Sequence, residues 1–351
     1  MLMRMIINSI LNIKRSLLLC VLFLAACQQQ TTAVSKHQLF VFGTLVEINI
    51  WHHDAKQTQQ AVDEISDTFN TMHHQWHAWK SGRLSTINQA LRAGQSIQVT
   101  VEEAEFIQQT IEQARLSDHL FNPVIGELIH LWGFHTDDYP LLTPPPSEAE
   151  IKRLVEQQLS VEDLSFDGLQ LSSLKPSAWL DFGGIAKGYA VDRAIKILVN
   201  HDIANAIVNA GGDLRSIGSK DQTPWRVAIQ SPTDWTLVAE LLIDGDESVF
   251  TSGNYQRYKE FDGQRYAHII NPKTGLPVSE VVSATVISKT GIAADAAATA
   301  LVVAGSDNWL KTAQQMGIDQ VLIINDQQQC LGTSAMIKRL ENLSMTCQAL
   351  D

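Results

Sequence analysis

Asp295 and Thr299 form the pair of side chains whose types and spacing point most directly to chemistry. They lie four residues apart in the alanine-rich segment 293–300, so on a helix they would share one face. Only alanines separate them, which leaves space beside the carboxylate and the hydroxyl. Such oxygens, with nearby carbonyl groups, suit Mg²⁺, a hard cation that also takes phosphate and water oxygens. The alternative is an aspartate near a helix start, stabilised by the helix dipole, and these residues alone leave both interpretations open.

Two glycine-containing segments could form ligand loops. The segment Leu180–Asp192 has paired glycines and Lys187 between a predicted strand and a predicted helix, where the backbone can approach a ligand and helix N–H groups suit phosphate. It matches neither the Walker A spacing nor GxGxxG, so a phosphate site and a plain tight turn both stay open. In Asn209–Arg215, Asp213 follows two glycines, either in a ligand loop or in a turn where the aspartate caps the backbone.

Histidines supply two further candidates. His268 ends a predicted strand just before a turn rich in Pro and Gly, where it could position a phosphate, act as an acid or base, or be structural. His73 and His77 would share one helix face and could bind zinc. They lack both the glutamate of an HExxH motif and a companion cysteine cluster, so a solvated helix end is the preferred interpretation.

The elements that must position these residues mix helices and strands without strict alternation. Apolar spacing predicts helices over 58–79, 101–117, 189–200, 293–304 and 307–316, and a further helix capped by Ser147. Strands are predicted over 39–50, 161–171, 177–182, 205–210, 225–230, 238–243, 248–252, 265–270 and 281–288, with a closing hairpin from 320–325 and 329–335. This order predicts an α+β fold rather than a doubly wound parallel sheet.

The composition limits the class of protein. The 351 residues are 45% hydrophobic and 18% charged, which are globular values. A net charge of -12 without basic runs argues against a general nucleic-acid binder. The apolar run 17–26 is too short to span a bilayer, which needs roughly 20 helical residues, and is typical of a signal peptide.

The end of that run resembles the bacterial lipobox. Small residues precede Cys27, so we predict a signal peptide over 1–26, acylation of Cys27 and a polar tether over 27–37. The alternative is an ordinary signal peptide with a chance cysteine. The expected location is the periplasmic face of a bacterial membrane, and Gln28 favours the outer over the inner membrane. Cleavage would leave 23 basic and 38 acidic residues, a net charge of −15, with Cys330 and Cys347 either paired or free.

The order of the motifs resembles the ApbE-type FAD:protein FMN transferases over about residues 38–335. The series runs from Phe42-Gly43-Thr44, Ser85-x-x-Asn88, Phe121-Asn122-Pro123 and Leu131–Phe134 through Asp181–Asp192, Asn209–Asp213, Thr251–Tyr255, His268–Pro277 and Asp295–Thr299. The resemblance implies a T-fold-like α+β domain, taken here as 38–340, with a C-terminal tail over 341–351 and FAD between two lobes. It also implies an enzyme that uses Mg²⁺ to cleave FAD, joins FMN by a phosphoester to a Thr or Ser hydroxyl of an acceptor flavoprotein, and releases AMP. The implied acceptors include subunits of membrane redox complexes.

The same resemblance assigns roles to residues of this chain. Asp295 and Thr299 match metal-ligand positions, joined by Gly184 and Ala298, and His268 matches the histidine beside the reacting phosphates. Asp295 and His268 are therefore the expected catalytic pair. The positions that match FAD contacts are Phe42, Trp79, Leu120, Phe121, Asn122, Asp181, Lys187 and Ile270.

Two departures and two alternative functions accompany this resemblance. Asn122 and Asn271 stand where the family often has Asp, which would either weaken metal or FAD contacts or keep the hydrogen bonds as amides; Val124 replaces a common Thr. The first alternative is an FAD pyrophosphatase at the same site, with water as nucleophile. The second is a non-catalytic flavin-binding lipoprotein, which the intact Asp295 and Thr299 disfavour.

Overall fold

A nine-stranded sheet forms the centre of the computed structural model, which describes residues 34–139 and 141–351. Its strands lie in the order β1-β2-β6-β7-β10-β13-β14-β15-β17, and separate small sheets contain β3-β5-β4, β16-β9-β8 and β11-β12. The strands are β1 Val34–Val41, β2 Thr44–Trp51, β3 Ile97–Gln98, β4 Leu164–Asp167, β5 Gln170–Ser173, β6 Ala206–Ala210, β7 Asp213–Ile217, β8 Trp225–Gln230, β9 Leu237–Ile243, β10 Glu247–Gly253, β11 Tyr258–Phe261, β12 Gln264–Ala267, β13 Val281–Ser288, β14 Gln320–Asn325, β15 Cys330–Thr333, β16 Leu340–Glu341 and β17 Cys347–Leu350.

The helices begin at clear sequence signals. Thr100 and Ser147 each accept a hydrogen bond from a backbone N–H of the first turn. The side chains of Glu103 and Glu150 accept the backbone N–H of Thr100 and of Ser147, so both helices begin with a capping box. The helices are α1 Ala55–Gln75, α2 Arg83–Arg92, α3 Val101–Leu116, α4 Gly126–Leu131, α5 Glu148–Val155, α6 Ala186–Asn200, α7 Gly291–Ala304, α8 Trp309–Gln315 and α9 Ser334–Ile337, with a 3₁₀ turn at Val161–Asp163.

The central sheet is covered on both faces at β10 and β13, and successive residues of these strands point to opposite faces. On β10, Phe250 belongs to the main core with helices α1, α6 and α7, whereas Val249 packs into a second core with β8 and β9. On β13, Val286 likewise packs into the main core and Ile287 into the second core. A third apolar cluster around α4 and α5 includes Ile270. The α+β class is therefore as predicted.

Helices α6 and α7 cross at two glycines, which fixes the position of Asp295. A Cβ on Gly188 would lie 2.3 Å from the carbonyl oxygen of Gly291 and 2.9 Å from the Cβ of Asp295. The absence of side chains at the crossing allows the two backbones to approach closely. Helix α7 is buried along most of its length, so Asp295 enters the protein from a helix surrounded by core.

Several predicted elements differ from the observed ones. The strand predicted over 39–50 is a hairpin, whose turn places Phe42 and Gly43 at φ 57° and 70°. The segment predicted as a strand over 177–182 is not a strand: among the described residues, its sheet-type pairing is limited to a bridge between Trp179 and Ile125. The helix predicted to reach residue 79 ends at Gln75, and the strand predicted to reach residue 270 ends at Ala267.

The last residues belong to the main sheet. Strand β17 pairs in parallel with β15, so the segment predicted as a tail over 341–351 closes one edge of the fold. A disulfide joins Cys330 on β15 to Cys347 on β17, which decides between the paired and free thiols. Cys27 and the predicted signal peptide lie outside the described residues. In the described part of the chain, no helix is both long enough and apolar enough to cross a bilayer.

Candidate active site

One pocket collects nearly all of the predicted site residues. It encloses a cavity of about 420 Å³ between the main core and the third apolar cluster. The predicted residues that line it are Phe42, Trp79, Leu120, Phe121, Asn122, Asp181, Gly184, Lys187, His268, Ile270, Asp295 and Thr299. Ala298 is fully buried and does not line the pocket, so only its backbone carbonyl could serve a ligand.

Asp295 and Thr299 place two oxygen-bearing side chains at the base of the pocket. The Asp295 side chain is 4% exposed, and its Oδ2 accepts a hydrogen bond from the backbone N–H of Gly188 at 2.9 Å. Burial raises the pKa of this carboxyl to about 7. Thr299 Oγ1 lies 3.2 Å from Ser252 Oγ, and a Cβ on Gly184 would lie 3.1 Å from the same hydroxyl. Gly184 and Thr299 are therefore in contact, and Asp295 lines the same pocket one helical turn before Thr299.

Lys187 brings a cation to the same region. Its ammonium group pairs with Asp213, whose other oxygen accepts a hydrogen bond from the backbone N–H of Thr251 at 2.9 Å. Burial acts to lower the pKa of Lys187, but the carboxylates of Asp213 and then Asp295 outweigh it and leave the pKa raised. Asp213 thus hydrogen-bonds to strand β10 and also pairs with Lys187, which joins the second glycine segment to the lysine.

His268 lies at the pocket wall with a defined ring orientation. Its Nδ1 is 3.1 Å from the carbonyl oxygen of Arg257, which also accepts the backbone N–H of His268. A carbonyl only accepts, so Nδ1 carries the proton and Nε2 of the neutral ring is left as an acceptor. Burial, followed by the charge of Arg257, lowers the pKa of His268 to about 4, so the ring is neutral at pH 7.

Asn122 and Asn271, the two asparagines noted in the sequence, both form local hydrogen bonds. Asn122 donates from Nδ2 to the carbonyl of Leu159 at 3.0 Å and accepts the N–H of Val124 at 3.1 Å. An ionised aspartate could not make the first of these bonds. Asn271 accepts the N–H of Lys273 at 2.8 Å within its turn. Both side chains therefore hydrogen-bond to the local backbone.

Two pocket residues were missed by the sequence analysis. His135 follows directly after Leu131–Phe134, and its Nε2 lies 2.9 Å from Asp181 Oδ2. Arg257 follows two residues after Thr251–Tyr255 and lies 5.9 Å from the ring centre of Tyr139. The signal that the sequence offers for both residues is that each lies just after one of the family-like motifs, since neither has a local partner that marks it.

His73 lies in the last turn of α1, but His77 lies beyond the end of that helix at Gln75, so the prediction that they share a helix face is wrong. The rings of His73 and His77 lie 5.7 Å apart between centroids. Across residues 34–139 and 141–351, no group of three or more His, Cys, Asp or Glu side chains could hold a metal ion. Any metal in the pocket would therefore need mixed oxygen ligands of the Asp295 and Thr299 kind.

Comparisons with known proteins show which family the chain resembles. The ApbE family model matches residues 42–322. The chain is 40% identical over 305 residues to the FAD:protein FMN transferase of Rhodobacter capsulatus, covering 86% of this chain but only 57% of that protein, and 32% identical over 274 residues to that of Vibrio cholerae, covering 77% and 80%.

Solved structures show the same architecture. The ApbE protein of Thermotoga maritima superposes with a TM-score of 0.80 at 28% identity, and the flavin transferase ApbE of Vibrio cholerae with 0.74 at 28%. In each case the match covers 88% of this chain and 100% of the solved chain. On the match of the family model and of these relatives, the chain belongs to the ApbE family.

Proposed function

We propose that this protein is a Mg²⁺-dependent FAD:protein FMN transferase. It cleaves the pyrophosphate of FAD, attaches FMN through a phosphoester to a Thr or Ser hydroxyl of an acceptor flavoprotein, and releases AMP. The observation that carries the proposal is the meeting of Asp295, Thr299, Lys187 and His268 at one pocket. The names of the family relatives, FAD:protein FMN transferase, support the same activity.

The pocket offers apolar surfaces for the rings of FAD and cations for its phosphates. Phe42, Trp79 and Phe121 contribute aromatic wall, and aromatic faces suit the stacking of flat heterocycles. Arg257 and Lys187 contribute positive charge to a chain that is acidic overall. Because Lys187 is already paired with Asp213, we assign the larger share of pyrophosphate attraction to Arg257.

The residues at the base of the pocket fit Mg²⁺ by their chemistry. A carboxylate, a hydroxyl and backbone carbonyls are the hard oxygen donors that this ion prefers, and phosphate and water complete its shell. Burial raises the pKa of Asp295, and a cation bound beside the carboxyl would favour its charged form. Asp295 and Thr299 would hold the ion, with the carbonyls of Gly184 and Ala298. Bound there, Mg²⁺ supplies charge that offsets the phosphates and the leaving group.

His268 is positioned to take the proton of the acceptor hydroxyl. In the proposed step, the hydroxyl oxygen forms a bond to the phosphorus of the FMN half while the bridging P–O bond breaks and AMP departs. The hydroxyl proton passes to Nε2, the ring nitrogen left as an acceptor by the Nδ1 hydrogen bond to Arg257. The negative phosphates of bound FAD would raise the low pKa of His268 and so make Nε2 a stronger base.

We also propose lipid anchoring through Cys27 at the periplasmic face of a bacterial membrane. The lipobox-like sequence supports it, and the Cys330–Cys347 disulfide supports an oxidising compartment. Retention of [³H]palmitate label by the wild type, and its loss in Cys27→Ala, would test the anchor. Label that persists in Cys27→Ala would contradict it.

The transfer itself is tested by in-gel flavin fluorescence. The purified full chain is incubated with FAD, Mg²⁺ and a candidate acceptor flavoprotein subunit, and the acceptor is then separated under denaturing conditions. We expect a fluorescent acceptor with the wild type, and none with Asp295→Ala or when EDTA replaces Mg²⁺. AMP and free FMN without labelling would indicate the pyrophosphatase instead, and FAD binding without turnover would indicate the non-catalytic protein.

A further inference from the structure

His135 and Asp181 form a buried pair beside the pocket. Their side chains are 3% and 8% exposed, and His135 Nε2 lies 2.9 Å from Asp181 Oδ2. The His135 ring also stacks on Trp79, with 5.5 Å between the ring centres and 17° between the planes. Because a carboxylate only accepts, Nε2 carries the proton and donates it to Asp181.

The other ring nitrogen of His135 shows that packing alone does not account for this residue. Nδ1 is buried and has no hydrogen-bond partner in the part of the chain that the structure describes. Leaving a buried polar atom without a partner is destabilising. A phenylalanine would fill similar space against Trp79 without that cost. The feature that distinguishes histidine here is therefore its Nε2–H bond to Asp181.

Asp181 also hydrogen-bonds to the backbone near the base of the pocket. Its Oδ1 accepts the backbone N–H of Gly183 at 2.8 Å, and its own N–H donates to the carbonyl of Pro123 at 2.8 Å. The next residue, Gly184, packs against Thr299, where an added Cβ would lie 3.1 Å from the hydroxyl oxygen. One carboxylate thus joins the aromatic wall to the turn that carries a proposed metal ligand.

We infer that His135 is a positioning residue for FAD, which acts by holding the Asp181 carboxylate through Nε2. The inference rests on the proposed function, since it concerns the same substrate. It assigns Asp181 a fixed orientation in the absence of FAD, so that binding does not have to order this side chain. His135 itself makes no bond in the reaction.

Three variants separate the hydrogen bond from packing. His135→Phe keeps the ring against Trp79 and removes the donor. His135→Gln places an amide N–H near the position of Nε2, and His135→Met has similar length to Gln without a donor. FAD affinity is measured by quenching of protein fluorescence on the purified full chain with Mg²⁺ and without acceptor, and stability by thermal unfolding.

We expect His135→Phe and His135→Met to bind FAD on the order of 10-fold more weakly than the wild type, without a matching loss of thermal stability. His135→Gln should recover most of the affinity. Phe and Met variants that bind FAD as tightly as the wild type would overturn the inference, as would equal weakening in Gln and Met. If His135→Phe does not fold, the comparison of FAD affinity between His135→Gln and His135→Met tests the inference by itself. A wild type that binds no FAD would instead overturn the proposed function, and this inference with it.

Discussion

Replacing Asp295 by asparagine should stabilise the metal-free protein and abolish its response to Mg²⁺. The side chain is 4% exposed, and burial is the largest cause that raises its pKa from 3.8 to about 7. The folded protein therefore disfavours the charged carboxylate relative to the unfolded chain. Asparagine has nearly the same shape and keeps a carbonyl oxygen for the N–H of Gly188, so it removes the charge with little change in packing.

The magnitude follows from the difference in pKa. One pKa unit corresponds to about 1.4 kcal/mol, so ionised Asp295 destabilises the metal-free fold by roughly 4 kcal/mol above pH 7. Below pH 3.8 the carboxyl is protonated in both states, and the destabilisation is absent. It grows as the pH rises from 3.8 toward 7. The asparagine variant should thus gain up to about 4 kcal/mol at pH 8 and almost nothing at pH 4.

Urea unfolding at pH 4 and pH 8, with and without Mg²⁺, measures both effects. At pH 8, Mg²⁺ at 100 times its Kd should add about 2.7 kcal/mol to the wild type and nothing to Asp295→Asn. Asp192→Asn is the matched control. Asp192 accepts the N–H groups of Gly291 and Ile292 at 2.7 and 3.0 Å and an Arg215 hydrogen bond. That variant should lose stability and keep its response to Mg²⁺. An Asp295→Asn protein less stable than the wild type at pH 8 without metal would refute the reasoning.

Three further changes test other parts of the structure. Gly188→Ala should lower the free energy of unfolding by at least about 2 kcal/mol, because its Cβ would meet the Gly291 carbonyl at 2.3 Å; normal stability in denaturant would contradict the close crossing. Arg257→Gln should weaken FAD binding about 10-fold. It should also shift the acidic limb of the pH profile of kcat/KM to higher pH, because the charge of Arg257 lowers the pKa of His268 and its removal would raise that pKa. A limb at an unchanged pH would count against His268 as the base. Reduction of the Cys330–Cys347 disulfide should cost about 3 kcal/mol of stability, measured in denaturant with and without reductant, yet leave transfer by folded protein unchanged because neither cysteine lines the pocket.

Local patterns predicted the parts of the site that one element contains. The spacing of Asp295 and Thr299 places both on helix α7, and the glycine segment around Lys187 does run into helix α6. The Cys330–Cys347 pair could be foreseen only as one of two alternatives, because pairing depends on strand β17, whose residues were predicted to form a tail. Periodicity carries no information about which distant segments meet.

Contacts between distant segments account for most of what was missed. His135 and Asp181 are 46 residues apart, and Lys187 and Asp213 are 26 apart, so neither pair has a local signal. The segment 177–182 has the apolar character of a strand. Within the described residues, however, it pairs through a bridge between Trp179 and Ile125 and does not join a sheet. The hairpin turn at Phe42 was also missed, since a bulky residue at positive φ is an uncommon turn former.

The stoichiometry of the products tests the central claim most directly. The purified full chain is incubated with FAD, Mg²⁺ and an acceptor flavoprotein, and AMP is quantified by chromatography while covalent FMN is quantified by the mass of the intact acceptor. A hydroxyl nucleophile from the acceptor predicts one AMP released for each FMN attached, with both products lost in Asp295→Ala. Release of AMP with free FMN and an acceptor of unchanged mass would contradict the account, because water would then be the nucleophile.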